Sequence, residues 1–290
     1  MSSSGTAPTD RAGSDELVEF ATKALEISDA DKLALDLDVP SWVGARMEEA
    51  DRLLREVEKV VRRSGVEVEY FEVSLKRYRH YVAACLSRPA DAAVLEVGAA
   101  PGHVSIALHL AGFHPTGVNL NELWRATYPS ADWFDRLEVL EHDVEKERLP
   151  FPDARFEIVL FTEILEHVAV SDPTIVLSDL RRVLVPGGLL ILSTPNVCNI
   201  SNILALARGI NVFWPVDRFY GSLDRHNREY TPAEVRSVVE AAGFRILSLY
   251  GINADNNWRM GAEVMAYDVV SKLGDQHPLL RNTSVCLATR

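Results

Sequence analysis

Apolar residues recur at helical spacing in the first third of the chain. Over residues 45–61 they lie three and four positions apart between charged residues, and Gly65 ends the pattern. A second helix is predicted over residues 71–86. We therefore predict a helical cap over residues 15–90. Residues 1–14 are rich in Ser, Gly, Thr and Pro, which predicts a disordered leader.

After residue 91 the pattern changes to short apolar blocks that alternate with helical segments. The predicted strands cover residues 93–97, 115–120, 137–141, 156–161, 189–193, 244–250 and 284–289. Helices are predicted from His103, over residues 173–184, and after a capping box of Thr231 and Glu234. Strands that alternate with helices form a parallel, doubly wound sheet. The predicted fold class is therefore α/β, with a mostly parallel seven-stranded sheet over residues 91–290.

The segment 196–225 is too long for a simple connection between two elements of this sheet. We predict an insertion that covers a substrate site. Flat rings suit sugars and aromatic molecules, and the candidates for stacking are Trp214, Tyr220 and Trp258. Guanidinium groups bind phosphate or carboxylate, and the candidates are Arg218, Arg225, Arg228 and Arg259.

Composition and charge narrow the functional classes. The chain has 47% apolar and 25% charged residues, as globular proteins do. A net charge of -12 argues against a nucleic-acid partner, which needs a basic face. No stretch of the sequence is long and apolar enough to predict a membrane span. Three scattered cysteines indicate reduced thiols and a cytoplasmic location. The cap helices either pack internally or form a homo-oligomer.

The strongest chemical signal is the block 94–102, which reads Val-Leu-Glu-Val-Gly-Ala-Ala-Pro-Gly. An apolar run ends in Glu96, small residues follow at Gly98, Ala100 and Gly102, and a helical pattern comes next. The block predicts a buried strand, a tight turn and a helix N-terminus. Because small residues leave the backbone open, a bulky cofactor can lie against this turn.

The spacing Glu96-x-Gly98-x-Ala100-x-Gly102 resembles the first motif of class I S-adenosylmethionine-dependent methyltransferases. Further motifs follow in the family's order at residues 140–144, 156–168, 180–196, 229–231 and 242–244. The resemblance covers residues 75–290, and the chain is most similar to the ubiquinone-biosynthesis O-methyltransferase group and to sugar and natural-product methyltransferases. It implies a Rossmann-like methyltransferase fold that binds S-adenosylmethionine.

The resemblance also implies roles for single residues. Glu96 matches the acid that helps to hold the methionine ammonium group. Asp143, with the Val144 backbone, matches the site that binds adenine. The other residues expected at the cofactor are Gly98, Ala99, Ala100, Gly102, Asn119, Leu120, Thr162 and Glu163.

Asn119 departs from the family's pattern. The second strand usually ends in an acid that grips both ribose hydroxyls, and Asn121 or Glu122 are the candidates to replace it. In many members an upstream Arg or Tyr contacts the cofactor carboxylate, for which Arg77 and Tyr78 are the candidates.

The spacing of Glu163, Glu166 and His167 would place all three side chains on one face of a helix. Together with His226 they offer two carboxylates and two imidazoles, a set that binds divalent cations. Small-RNA 2′-O-methyltransferases share the Glu-x-x-Glu-His element, so the resemblance implies Mg²⁺ that acidifies a substrate hydroxyl. His167 or His226 as a metal-free general base is the alternative, and a purely structural role for the motif stays open.

The main functional prediction is a cytoplasmic enzyme that methylates a small molecule, with a hydroxyl of a sugar or secondary metabolite as the acceptor. One rival is N-methylation of an amine-bearing natural product. A second rival is RNA 2′-O-methylation, which the Glu-x-x-Glu-His element suggests and the acidic net charge disfavours. A third rival is a non-catalytic partner protein with a cofactor-binding fold, which the unusual Asn119 suggests.

Overall fold

A central sheet organises the molecule. The computed structural model describes residues 35–36, 38–169, 172–220, 225–254 and 278–290. Its strands are β1 (Ala93–Val97), β2 (His114–Asn119), β3 (Leu140–Glu141), β4 (Phe156–Thr162), β5 (Leu184–Pro195), β6 (Arg245–Ile252) and β7 (Thr283–Thr289). Among the described residues they form one seven-stranded sheet in the order β3-β2-β1-β4-β5-β7-β6. Only β7 runs antiparallel to its neighbours there, which confirms the predicted α/β class and mostly parallel sheet.

The strand order reverses between β1 and β4. From β1 the chain proceeds outward to β2 and β3, then returns to β4 on the other side. In open parallel sheets such a switch point leaves a crevice beyond the carboxyl ends of the central strands, where ligands bind. Glu96 and Thr162 lie at those ends.

The helices cover both faces of the sheet. They are α1 (Ser41–Gly44), α2 (Met47–Ser64), α3 (Val68–Cys85), α4 (His103–Leu110), α5 (Ala131–Arg136), α6 (Pro173–Val183), α7 (Ile200–Ala207), α8 (Val216–Phe219) and α9 (Pro232–Ala241). Val94, Ile158 and Leu160 pack in one core with α2, α3 and α4. Their strand neighbours Leu95 and Val159 point the other way, into a second core with α6 and α9.

The two predicted cap helices are present as α2 and α3. Helix α2 ends at Gly65, which adopts a left-handed φ of 71°. Its apolar stripe, Ala50, Leu54, Val57 and Val61, is buried in the core of the same chain. The amphipathic pattern of α2 is therefore explained by internal packing, and it gives no indication of a homo-oligomer.

Two predicted strands differ from the observed ones. The third was predicted over 137–141, but β3 has only two residues because Leu137 follows helix α5 and is buried beneath it. The fifth was predicted over 189–193, but β5 begins at Leu184. The Pro-Gly-Gly segment at 186–188, which precedes the predicted strand, lies inside β5, where an irregularity in the pairing with β4 absorbs the left-handed φ of 79° at Gly187.

The leader predicted over residues 1–14 and the first part of the cap lie outside the described residues. Within the part that is described, no helix has the length and apolar character that crossing a membrane requires. Cys85, Cys198 and Cys286 are free thiols.

Candidate functional site

A cavity of about 600 Å³ opens at the switch point of the sheet. Pockets of this size hold a cofactor or drug-sized ligand. Most of the residues predicted for the site line this cavity: Glu96, Gly98, Ala99, Ala100, Asn119, Leu120, Asp143, Val144, Thr162, Glu163, Glu166, His167 and His226. Arg77 and Tyr78 of helix α3 complete its wall. The tertiary structure therefore brings the family motifs to one place.

Glu96 lies at the carboxyl end of β1 and is 5% exposed. Its carboxylate accepts hydrogen bonds from the hydroxyl and the backbone N–H of Ser105, in the first turn of α4. Burial raises the pKa of Glu96 to about 7, and the bonds from Ser105 oppose that rise. A buried acid of this kind is suited to a cationic ligand group, which would favour its ionised form.

Gly102 closes the turn between β1 and α4 with a left-handed φ of 85°. A Cβ atom there would lie 2.5 Å from the Tyr128 ring. Its role in the structure is therefore packing beneath the turn, and it does not itself line the cavity. The small residues that do line it are Gly98, Ala99 and Ala100.

The Asn119 amide is held within the protein on both sides. Its oxygen accepts a hydrogen bond from Ala100 N at 2.9 Å, and its nitrogen donates to the Tyr128 hydroxyl at 3.1 Å. This residue, which departs from the family's acid, thus ties β2 to the turn after β1. Asn121 is absent from the cavity wall, and the Glu122 side chain lies outside the described residues.

Asp143 follows β3 and faces the cavity. Partial burial opposes its ionisation, but hydrogen bonds from the Lys146 ammonium and the Glu145 N–H outweigh that effect and hold the pKa of Asp143 below its usual value. The carboxylate is therefore an ionised acceptor, as recognition of an amino group requires.

Glu163 is not part of the group that the other members of the predicted metal set form. Its backbone has a left-handed φ of 57°, and its carboxylate lies 2.6 Å from Arg77 Nη1 and 2.7 Å from Ser193 Oγ. The Arg77 side chain is 4% exposed, so this is a buried ion pair between helix α3 and the end of β4. Glu163 therefore connects the cap to the sheet.

Glu166, His167 and His226 form a separate group. Residues Leu165–His167 make a single 3₁₀ turn, so the helical face that their spacing predicted does not exist. One ligand atom from each residue lies within 4.8 Å of the others. The two imidazole rings meet edge to face with centroids 4.9 Å apart. The fold brings His226 to this group from a segment 59 positions further along the chain.

Hydrogen bonds fix the orientation of both imidazoles. His167 Nδ1 lies 2.9 Å from the carbonyl oxygen of Arg225, and His226 Nδ1 lies 2.8 Å from a Glu229 carboxylate oxygen. Both partners are acceptors, so each Nδ1 carries a proton, and in the neutral form of each ring Nε2 holds the lone pair. Such outer partners are typical of metal-binding histidines, and they equally serve a histidine that accepts a proton.

Glu166 is the buried carboxylate of this group. It is 1% exposed, one of its oxygens accepts a hydrogen bond from Thr194 Oγ1 at 2.9 Å, and the other lies 3.9 Å from His167 Nε2. Burial, followed by repulsion from Glu163, raises the pKa of Glu166 well above its usual value. A nearby cation or protonated imidazole would offset that cost.

The insertion contributes one of its predicted aromatic residues to the cavity. Trp214 lines it, with its ring 5.6 Å from that of His226. Tyr220 is 80% exposed and lies outside the cavity wall. Arg225 bonds to Asn227, and Arg228 pairs with Glu234. The side chain of Arg218 and all of Trp258 and Arg259 lie outside the described residues.

Several residues of the site were not predicted, although Ser193 and Glu229 lie within the motifs at 180–196 and 229–231. Glu229 orients His226, Tyr128 packs under the turn at Gly102, and Ser193 bonds to Glu163. The buried His103 lines the cavity as well. Only the polar character of Ser193 and His103 inside apolar segments could have indicated them, since their partners lie far away in sequence.

A family model described as a methyltransferase domain matches residues 68–249. A curated relative, the ubiquinone biosynthesis O-methyltransferase of Maricaulis maris, is 27% identical over 161 residues, which are 55% of this chain and 61% of the relative. A probable S-adenosylmethionine-dependent methyltransferase of Mycolicibacterium smegmatis is 30% identical over 163 residues, 55% of this chain and 54% of the relative. The matches thus span little more than half the length of these relatives.

Solved structures show the same fold at lower sequence identity. A SAM-dependent methyltransferase from Archaeoglobus fulgidus superposes with a TM-score of 0.52 at 16% identity, over 77% of this chain and 94% of the other. At this identity the likeness supports the Rossmann-like architecture and no more.

Proposed function

Because the chain belongs to the class I S-adenosylmethionine-dependent methyltransferases, we propose that it methylates a hydroxyl group of a small molecule, a sugar or another secondary metabolite. The observation that carries this proposal is one cavity lined by two chemically different groups of residues. One group comprises Glu96 and Asp143, and the other comprises Glu166, His167 and His226. We call these the cofactor end and the acceptor end.

In this proposal the cofactor end holds S-adenosylmethionine. Glu96 takes the ammonium group of the methionyl tail, and Asp143 with the Val144 backbone takes the adenine amino group. The open backbone at Gly98 and Ala100 admits the bulk of the nucleoside. When bound, the sulfonium supplies an electrophilic methyl group, so the protein has to align the acceptor and remove its proton.

In this proposal His167 accepts the proton that the acceptor hydroxyl loses. Its Nε2 keeps a lone pair because Nδ1 donates to the Arg225 carbonyl. The buried Glu166 carboxylate, 3.9 Å from Nε2, would stabilise the imidazolium that forms. His226, with its own lone pair and its own carboxylate partner, would bind the acceptor hydroxyl or a second one beside it.

The same three side chains fit a divalent cation as the second form of this proposal. One carboxylate and two imidazoles converge there, and both imidazoles have outer partners. Because Glu163 pairs with Arg77, only one carboxylate remains in the group. Nitrogen-rich sets favour Zn²⁺, Fe²⁺ or Mn²⁺ over the Mg²⁺ that the sequence resemblance implied. A bound cation would lower the pKa of the acceptor hydroxyl.

A paired methylation assay tests the proposal. The protein is incubated with S-adenosylmethionine and with sugars, phenols and alcohols, each matched by the amine that carries nitrogen in place of oxygen. Mass spectrometry should find the methyl group on oxygen. Methylation of the amines alone would replace the proposal by N-methylation, and no transfer with a protein that binds the cofactor would favour a non-catalytic role.

A chelator distinguishes a metal-free His167 base from a divalent cation at the acceptor end. If activity survives exhaustive chelation, His167 acts without a metal. If activity is lost and one cation restores it, that cation occupies the group. The control is His114→Gln, which removes an exposed imidazole far from the cavity and should change neither result.

A further inference from the structure

A buried histidine at the cofactor end has one ring nitrogen without a protein partner. His103 is the first residue of α4, is 1% exposed and lines the cavity. Among the described residues, nothing accepts or donates a hydrogen bond at its Nε2 atom. A buried polar atom is normally satisfied, so an unpaired one on a side chain that lines a cavity indicates a ligand group.

Aromatic side chains of α3 hold the ring in place. Phe71 meets it edge to face at 5.1 Å, Tyr78 does so at 5.7 Å, and Tyr70 lies at 6.4 Å. Burial lowers the pKa of His103 to about 3, so the imidazole is neutral at physiological pH. A neutral imidazole has one N–H and one lone pair, and the question is which nitrogen carries the proton.

The phenol of Tyr78 answers that question. Its oxygen lies 3.3 Å from His103 Nδ1. A phenol O–H is a stronger hydrogen-bond donor than the N–H of a neutral imidazole, and an imidazole nitrogen is a stronger acceptor than a phenol oxygen, so the phenol donates to Nδ1. With Nδ1 as an acceptor, the proton of the imidazole is on Nε2.

The surroundings define what this donor binds. His103 begins α4, and the first N–H groups of a helix have no carbonyl partner within the helix and favour an anion. Two residues further, Ser105 holds the Glu96 carboxylate. One turn of helix thus offers a donor for an anion beside an acid for a cation. An α-amino acid carries both charges, as an ammonium group and a carboxylate group bonded to one carbon atom.

We propose that His103 is a cofactor-binding residue, whose Nε2–H and the N-terminus of α4 hold the carboxylate of the amino-acid tail of the bound S-adenosyl compound. This inference rests on the proposed function. It assigns the carboxylate to His103 and leaves Arg77, a sequence candidate for that role, as the residue that pairs with Glu163.

Calorimetry with two ligands tests the inference. S-adenosylhomocysteine carries the amino-acid tail, and 5′-methylthioadenosine carries the same nucleoside without it. His103→Phe keeps an aromatic ring in the cluster and removes the donor. We expect the affinity for S-adenosylhomocysteine to fall about tenfold, since a hydrogen bond to a charged group is lost. The affinity for 5′-methylthioadenosine should stay unchanged.

The other possible results contradict either the inference or the proposed function. If His103→Phe binds S-adenosylhomocysteine as the wild type does, or loses both ligands equally, His103 has no contact with the tail and the inference is wrong. If the wild-type protein binds neither ligand, the proposed function itself fails, and that is seen before any variant is made.

Nitrogen NMR of the ¹⁵N-histidine-labelled wild-type protein avoids any effect of a substitution on folding. We expect the His103 ring to be the Nε2–H tautomer, and its Nε2–H resonance to shift with S-adenosylhomocysteine and not with 5′-methylthioadenosine. A proton on Nδ1, or equal shifts with both ligands, would overturn the assignment. In Tyr78→Phe the tautomer preference should weaken, with a smaller, equally tail-specific loss of affinity.

Discussion

The two ends of the cavity are built in different ways. At the cofactor end, Glu96, Ser105 and Gly102 come from one short strand-turn-helix segment, and their bonds join residues fewer than ten positions apart. At the acceptor end, Glu166, Thr194 and His226 come from three segments, and backbone bonds such as Asn227 N to Glu166 O at 2.8 Å join them.

This difference determines how far each end can vary between members of a family. The cofactor is the same for every member of such a family, and one strand-turn-helix segment supplies Glu96 and the turn of its proposed site, while Asp143 comes from a separate segment after β3. The acceptor end depends on an insertion and a loop, whose positions are set by the rest of the fold. We therefore expect changes at the acceptor end to affect turnover, and changes at the cofactor end to affect affinity.

The largest expected effect is at the acceptor end. His167→Gln removes the Nε2 lone pair that accepts a proton or binds a cation. We expect kcat to fall by about 10²- to 10⁴-fold, the usual contribution of general acid–base catalysis. The affinity for S-adenosylhomocysteine, measured by calorimetry, should stay the same. A loss of affinity without a loss of kcat would show that the two ends do not divide the work in this way.

Glu96→Gln is the matching change at the cofactor end. It removes the negative charge beside the proposed ammonium site, and we expect the affinity for S-adenosylhomocysteine to fall about 10- to 100-fold at pH 8. The value of kcat at saturating cofactor should change little. An unchanged dissociation constant would remove Glu96 from the site.

The same substitution should stabilise the protein without ligand. The folded-state pKa of Glu96 is raised from 4.5 to about 7, so ionisation of the folded protein at pH 8 costs about 3 kcal/mol relative to the unfolded chain. Glutamine avoids this cost. Denaturant unfolding should show the gain at pH 8 and its decline toward pH 5, where the wild-type carboxyl is protonated when folded. A gain independent of pH would contradict this cause.

The pH dependence of wild-type binding is the next test. In the proposed function the ionised form of Glu96 binds an ammonium group, so affinity for S-adenosylhomocysteine should fall as pH drops below 7, by about tenfold for each pH unit. Tyr78, Cys85 and Tyr128 surround this acid and stay neutral, because burial raises the pKa of each. Glu96→Gln should bind with a flat pH profile, and a slope that survives in this variant would assign the titration to another group.

The smallest effect concerns the residue that departs from the family. In Asn119→Asp the two oxygens accept from Ala100 N–H and the Tyr128 hydroxyl, and they keep lone pairs for a ribose hydroxyl. We expect a gain of a few-fold in affinity for S-adenosylhomocysteine, within the range of one hydrogen bond. Asn121→Asp, which adds the same charge outside the cavity wall, is the control. A large loss in Asn119→Asp would show that the amide nitrogen is required.

The sheet and the cofactor end were largely predictable from the sequence. Apolar blocks such as 156–161 alternate with helical segments, and their short length separates these strands from the helices. The turn after Glu96 is defined by small residues, and Gly102 has both a left-handed φ and no room for a Cβ atom. These properties depend on neighbours in the chain, so a local pattern contains them.

The acceptor end was only partly predictable. The sequence indicated Glu166, His167 and His226, but it also placed Glu163 with them, on a helix that does not form. The partner of Glu163 is Arg77, 86 positions earlier in the chain. Spacing cannot show such a pair, because the charge of Arg77 acts on Glu163 only after helix α3 has packed against β4.

The sequence by itself determined that strands alternate with helices, that a turn of small residues follows Glu96, and which types of side chain are available at the site. These features follow from backbone sterics and side-chain periodicity. Only the tertiary structure decided which carboxylate meets which cation, which partners the imidazole nitrogens meet, and that His103 lines the cavity with its Nε2 atom unpaired. Those outcomes depend on burial and on contacts between distant segments, which come into existence when the chain has folded.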